Sequence, residues 1–188
     1  MSAAFDWRLR RAARVLRAGG VVAYPTEAVY GLGCDPFDAS AVQRVLALKR
    51  RAPDRGLIVI AADAEALRPL LLPQPAAVMA PVLESWPGPS TWLLPAAPGV
   101  PVWITGGREC VAVRVTAHPL AAGLARAFGG PLVSTSANRS GRPAARTALK
   151  ARRIFGGGVD YYLGGATGGA ARPSLIRDAR DGRVVRAG

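Results

Sequence analysis

Apolar positions along this chain switch between two spacings: the i, i+3, i+4 recurrence of a helix face, and short unbroken β-prone runs. Leu9, Ala13 and Leu16 share one face with Arg10, Arg14 and Arg17 opposite, so the chain opens as a helix that Asp6 caps and Gly19–Gly20 stops. Val21 to Tyr24 is a short buried strand ended by Pro25. Asp38 caps a second helix, with Val42, Val45 and Leu46 on its buried face and Lys49 near its C-terminal end. Leu57 to Ala61 is a sheet strand, Asp63 opens a helix ending near Leu70, and 75–86 is helical up to the rigid turn Trp86-Pro87-Gly88-Pro89. Thr91–Leu94 and Val111–Val115 are strands, and 95–107 between them is a long loop. His118 and Pro119 open a helix through Phe128, closed by Gly129–Gly130, and strand Leu132–Ser134 follows. Thr147 caps a helix to Phe155, Val159–Leu163 is a short strand, and 166–171 is a glycine-rich loop. Leu175–Ile176 and Arg183–Arg186 form a closing hairpin around Asp181–Gly182. Helices mixed with strands throughout predict an α/β or α+β fold with a mixed sheet, and residues 1–188 show no repeat and no internal boundary.

Charge sharpens this picture. The formal net charge is +13, with 12 acidic residues against 25 basic ones, and Lys49 and Lys150 are the only lysines. A GC-rich genome accounts for arginine over lysine but not for the scarcity of acids, so anionic partners are favoured. No RNA-binding signature accompanies the charge. Cys34 and Cys110 form no CxxC, and His118 is the single histidine, which excludes a structural zinc site. The N-terminal arginines precede no apolar cleavage segment, and no apolar run is long enough to span a membrane, so the expected compartment is the cytoplasm.

Common catalytic sets are absent: there is no GxSxG elbow and no Walker A run, and Gly31-x-Gly33 lacks the third glycine of a dinucleotide fingerprint. His118 reads as a capping or packing residue. The run PLVSTSANRSG, 131–141, crowds Ser134, Thr135, Ser136 and Asn138 into the end of a strand, where such groups either close turns or bind a ligand. Lys49, Arg50 and Arg51 are either a solvated helix end or a phosphate grip. Arg114, inside VAVRV, requires an anionic partner, either an internal carboxylate or that of a ligand. Thr26 and Glu27 read as a helix cap, and Ser174, after Pro173, as a turn hydroxyl or a ligand donor. Hydroxyls and cations without a protein nucleophile fit adenylate formation, in which the protein supplies orientation and electrostatics.

Several long stretches carry a resemblance that covers nearly the whole chain: GGVVAYPTEAVYGLGCD (19–35), LKRR (48–51), GLIVI (56–60), WPGPSTWLLPA (86–96), VAVRVTAHP (111–119), PLVSTSANRSGRPA (131–144) and ARPSLIRDARDGRVVRAG (171–188). The chain resembles the YrdC/Sua5 family of threonylcarbamoyl-AMP synthases, of the short bacterial type without the additional C-terminal domain. The resemblance implies a twisted mixed sheet flanked by helices around a deep, positively charged cleft. It implies synthesis of threonylcarbamoyl-AMP and pyrophosphate from L-threonine, bicarbonate and ATP. The product would pass to a transferase complex that modifies an adenosine of tRNAs reading codons that begin with A. By this resemblance Lys49, Arg51, Ser136 and Asn138 handle ATP, its phosphates and Mg²⁺. The metal is held by the phosphates rather than by protein ligands, and no cofactor is tightly bound. Thr26, Arg114, Ser134 and Ser174 surround threonine, with Arg114 on its carboxylate, and Ala144 and Arg186 touch the nucleotide. Ala28, Arg55–Gly56, Ile60 and Leu175 depart from the commonest family pattern. Weak tRNA binding fits the charge. The alternative is a non-catalytic RNA-binding or ribosome-maturation protein of the same fold.

Overall fold

A computed structural model describes residues 3–171 and 174–186, the first four of these as backbone only. Helix α1 (Ala3–Arg17) turns Leu9, Ala12, Ala13 and Leu16 inward and leaves Arg10, Arg14 and Arg17 exposed. It starts three residues before Asp6, which is therefore inside the helix and not its cap. Strand β1 (Val22–Pro25) turns back into β2 (Tyr30–Gly33), an antiparallel partner missing from the sequence reading because two of its four residues are glycine. The residues between them, Thr26 to Val29, form the turn, so no helix follows for Thr26 or Glu27 to cap. Helix α2 (Ala39–Lys49) has the expected Asp38 cap, whose carboxylate accepts from Ser40 N and Ala41 N.

After a 3-10 turn at Pro53–Arg55 come β3 (Ile58–Ala61), a 3-10 helix at Glu65–Leu70, α3 (Ala76–Glu84) and β4 (Ser90–Pro95). The stretch opened by Asp63 is 3-10 and not α-helical; Pro69 lies within it and has no amide hydrogen to donate. The expected loop 95–107 contains a short helix, α4 (Val102–Thr105), entered through Pro101 and closed by Gly106 at φ 67°. Then follow β5 (Cys110–Val115), α5 (Pro119–Phe128), β6 (Leu132–Val133), β7 (Thr135–Ser136) and α6 (Ala148–Phe155) with its Thr147 cap. Strand β8 is only Tyr161–Tyr162, and β9 (Leu175–Asp178) and β10 (Val184–Arg186) make the closing hairpin. Arg172, Pro173, Ala187 and Gly188, part of the last resemblance stretch, lie outside the described residues.

The strands form two sheets. The larger has order β10-β9-β4-β5-β3-β6 and the smaller β7-β2-β1-β8, each with parallel and antiparallel neighbours. Valines on alternate positions of β5 (Val111, Val113, Val115) pack with Trp92, Leu94, Val59 and the α2 face into one core. A second core joins α1 and α5 to Val22, Tyr24, Ile60 and Leu132. Strand β1 is buried on both faces, Ala23, like Val21 just before the strand, toward the first core and Val22 and Tyr24 toward the second.

The two sheets meet where the chain passes from β6 to β7. Val133 N donates to Cys34 O at 3.0 Å, and the Tyr24 hydroxyl donates to Val133 O at 3.1 Å. Gly33 makes this approach possible: a Cβ there would lie 2.6 Å from both Val133 O and the Tyr24 ring. Gly33→Ala is therefore expected to lower the unfolding free energy by about 1–3 kcal/mol, as overpacking does. Urea unfolding would show this as a lower midpoint at unchanged slope, whereas an unshifted midpoint would mean the sheets can part without cost.

Candidate functional site

A cleft of about 620 Å³ opens where the two sheets meet. One wall is the β1–β2 turn and the start of β2, Thr26 to Gly31. The other is the face of the large sheet opposite its valines, where Ala112 and Arg114 alternate with the buried Val111, Val113 and Val115. The crossing segment Ser134–Ser136 closes the back, and Ser174, Ile176 and Arg186 of the hairpin region complete the rim.

At one end, Arg114 and Glu27 form an ion pair, Nη1 to Oε2 at 2.6 Å, with side chains 6% and 14% exposed. Of the two kinds of partner the sequence allowed Arg114, the internal carboxylate is present. Oε1 of Glu27 accepts from the Thr116 hydroxyl at 2.7 Å and from Ala117 N at 3.0 Å. Burial pushes the Glu27 carboxyl up, but the Arg114 charge and the Thr116 hydrogen bond outweigh it and leave the group below its ordinary range. Thr26 is buried and donates its hydroxyl to Val29 O at 2.7 Å, which closes the turn that presents Glu27. Ser134 is buried, its N donating to Ile58 O at 2.8 Å, and Ser174 accepts from the Thr91 hydroxyl at 3.0 Å. The glycine-rich loop lies across this end: Gly168 N donates to Thr26 O at 3.0 Å and Ala170 N to Glu27 O at 2.9 Å. His118, in the N-cap position of α5, is a packing residue whose Nε2 meets Ala166 O of that loop at 3.1 Å.

Behind the crossing segment, Lys49 is 3% exposed. Its ammonium donates to Ser136 O, to Asn138 O at 3.0 Å and to Asn138 Oδ1 at 3.1 Å. Ser136 Oγ donates to the same Oδ1 at 2.7 Å, and Asn138 Nδ2 donates to Arg142 O at 2.6 Å. Burial first, and the neighbouring Arg51 second, push the Lys49 pKa down to about 8. Three of the predicted nucleotide residues, Lys49, Ser136 and Asn138, thus form one network.

At the other end, Arg51, Arg55, Arg108 and Arg186 line the cleft. Among the described residues none of the four has a carboxylate within ion-pair distance. Arg51 Nη2 donates to Gly56 O at 2.8 Å and its Nε is buried without a partner. Burial and the facing Arg55 push both Arg51 and Arg186 below the ordinary guanidinium range. Gly56 has φ 59°, and a Cβ there would stand 3.0 Å from Ile104 O and Thr105 O. Ala28 also lines the cleft, Ile60 is fully buried in the second core, and Leu175 pairs with Ser90 in the sheet.

Of the predicted residues, Thr26, Arg51, Arg114, Ser134, Ser136, Ser174 and Arg186 line the cleft, Lys49 and Asn138 lie directly behind it, and Ala144 is outside the lining. Glu27, Arg55 and Arg108 were missed. The need of Arg114 for an anion was a signal for Glu27; nothing in the pattern marked two arginines in separate turns.

The Sua5/YciO/YrdC family model, described as telomere recombination, matches residues 14–188. A protein of Alkalilimnicola ehrlichii named threonylcarbamoyl-AMP synthase is 58% identical over 186 residues, covering 96% of each chain. One of Nitrosococcus oceani with the same name is 55% identical over 181 residues, 96% of this chain and 98% of the other. The structure of P. abyssi Sua5 complexed with L-threonine superposes with a TM-score of 0.87 at 37% identity; it matches 92% of this chain, which spans only 51% of that protein. By motif order, two-sheet fold and near full-length identity, the chain belongs to the Sua5/YciO/YrdC family.

Proposed function

We infer that this protein is a threonylcarbamoyl-AMP synthase, forming threonylcarbamoyl-AMP and pyrophosphate from L-threonine, bicarbonate and ATP in the cytoplasm, for tRNA modification by a separate transferase. The observation that carries this reading is one cleft with two chemically different ends: a buried Arg114 with hydroxyls around it, and four arginines without carboxylate partners among the described residues.

In this reading the threonine carboxylate takes the cleft-lining end of the Arg114 guanidinium, among Thr26, Ser134 and Ser174. Condensation of the threonine amine with bicarbonate releases water and gives a carbamate. Its oxygen attacks the α-phosphorus of ATP, the bond to the bridging oxygen breaks, and pyrophosphate leaves with the electron pair. Charge growing on the leaving group is met by Arg51, Arg55, Arg108 and Arg186. Lys49 holds the Ser136–Asn138 segment that faces the nucleotide and adds its charge from behind. Mg²⁺ enters with ATP, on its phosphates.

The direct test is pyrophosphate release from ATP without tRNA. Release that needs both threonine and bicarbonate is expected. No release, together with tight tRNA binding that survives about 0.15 M salt, where exposed charges are screened beyond about 8 Å, would favour the RNA-binding alternative instead.

Arg114→Leu should weaken threonine binding by about 2–5 kcal/mol, the cost of breaking a desolvated charge pair, while ATP affinity stays near the parent value. Calorimetric titration with each ligand separates the two, and equal losses in a folded variant would refute the assignment.

Lys49 gives a pH signature. As pH rises through about 8 the buried ammonium loses its proton and the cleft loses positive charge. At saturating threonine, kcat/KM for ATP should therefore fall on the alkaline side of about 8. Lys49→Met should lower the rate about 100-fold and abolish that limb. An identical limb in the variant would assign the titration to another group.

A further inference from the structure

The two ends of the cleft treat their cations differently. Arg51, Arg55, Arg108 and Arg186 have no carboxylate within ion-pair distance among the described residues, whereas Arg114 is held by Glu27 at 2.6 Å. Glu27 is itself fixed: one oxygen is on Arg114, the other on the Thr116 hydroxyl and Ala117 N, and the Glu27 carbonyl accepts from Ala170 N. Arg114 is only 5% exposed, yet its Nε has no partner and the one hydrogen bond from its guanidinium within the described residues is that from Nη1. Glu27 therefore grips Nη1, Nε is shut away from the cleft, and Nη2, without a hydrogen bond within the described residues, is the nitrogen left for a ligand where Arg114 lines the cleft.

Two physical effects follow. A gripped guanidinium offers its remaining donors in one orientation, which suits the planar fork of a carboxylate. A compensated guanidinium also exerts little net field, so a polyphosphate gains far more at the uncompensated arginines than beside Glu27. We propose that Glu27 is a positioning and specificity-determining residue. It orients Arg114 for a single carboxylate, and its charge keeps polyphosphate out of the amino-acid end, so that the two substrates sort along the cleft. This rests on the reading that Arg114 receives the threonine carboxylate.

Glu27→Gln keeps the shape and removes the charge; Glu27→Asp keeps the charge and shortens the reach. Calorimetry with L-threonine and with inorganic pyrophosphate, alone and in competition, tests both effects. Glu27→Gln is expected to raise the threonine Kd about tenfold or more, in the range of a broken desolvated pair, without weakening pyrophosphate. Pyrophosphate should displace threonine from this variant and not from the parent. Glu27→Asp should weaken threonine but leave pyrophosphate unable to displace it, a split that simple loosening of the fold would not produce. In turnover, KM for threonine should rise more than kcat falls. Threonine affinity within about twofold of the parent in both variants, or equal loss of threonine and pyrophosphate, would overturn the proposal. If Glu27→Gln fails to fold by circular dichroism, unchanged threonine affinity in Glu27→Asp overturns it alone. Absence of threonine binding in the parent is a different result, seen before any variant is made, and refutes the functional reading on which the proposal rests.

Discussion

The backbone from Leu132 to Ser136 belongs to two sheets at once, and the cleft exists because of how its polar groups are satisfied. Buried amides and carbonyls must find partners. Here Val133 N takes Cys34 O, Ser134 N takes Ile58 O, and Ala137 N takes Tyr30 O, so the segment is tied alternately to each side. The carbonyls of Ser136 and Asn138, which no strand receives, are met by the Lys49 ammonium. A lysine at the end of α2 thus replaces a strand neighbour. It is a costly replacement, since burial depresses its pKa, and the network needs all of its members to remain favourable.

Charge completes what the backbone starts. A chain of net charge +13 has few acids to distribute, and among the described residues Glu27 is the one carboxylate on the cleft lining. Other ion pairs of the described residues lie elsewhere, such as Arg44 with Asp160, Arg68 with Glu65, Arg180 with Asp178 and Arg183 with Asp181. Three of these four are substantially exposed on both partners, where such pairs contribute little to stability. Arg51, Arg55, Arg108 and Arg186 instead share one concave surface, where a multivalent anion can meet several of them together.

Much of this was legible in the chain itself. Capping at Asp38 and Thr147, the glycine stop after Phe128 and the hairpin about Gly182 follow from local chemistry, and the structure keeps them. The α1 face was readable because arginine and leucine alternate at helical spacing. What escaped notice depends on tertiary context. Strand β2 has the sequence Tyr-Gly-Leu-Gly, poor in β propensity, and Gly33 lets Tyr24 and Val133 come close to it. The 3-10 geometry of 65–70 and the short α4 lie below the length at which periodicity speaks. In the site, Arg114 was marked by its incongruity among valines. Arg55 and Arg108 were not, because an arginine in a turn is ordinary until a fold places it opposite another.

The glycine-rich loop and the hairpin that follows it have a consequence for how the protein is made. Residues 164–171 bond to the carbonyls of Thr26 and Glu27, Ser174 reaches Thr91, and β9 enters the large sheet beside β4 in parallel. Each of these contacts joins positions far apart in the chain, the kind of closure that forms slowly. A nascent polypeptide that has already assembled α1, β1, β2 and most of the first core still lacks one side of its cleft. During synthesis Arg51, Arg55, Arg108 and Arg114 are therefore present well before the pocket that will select among anions, while Arg186 and competence arrive only with the closing strands.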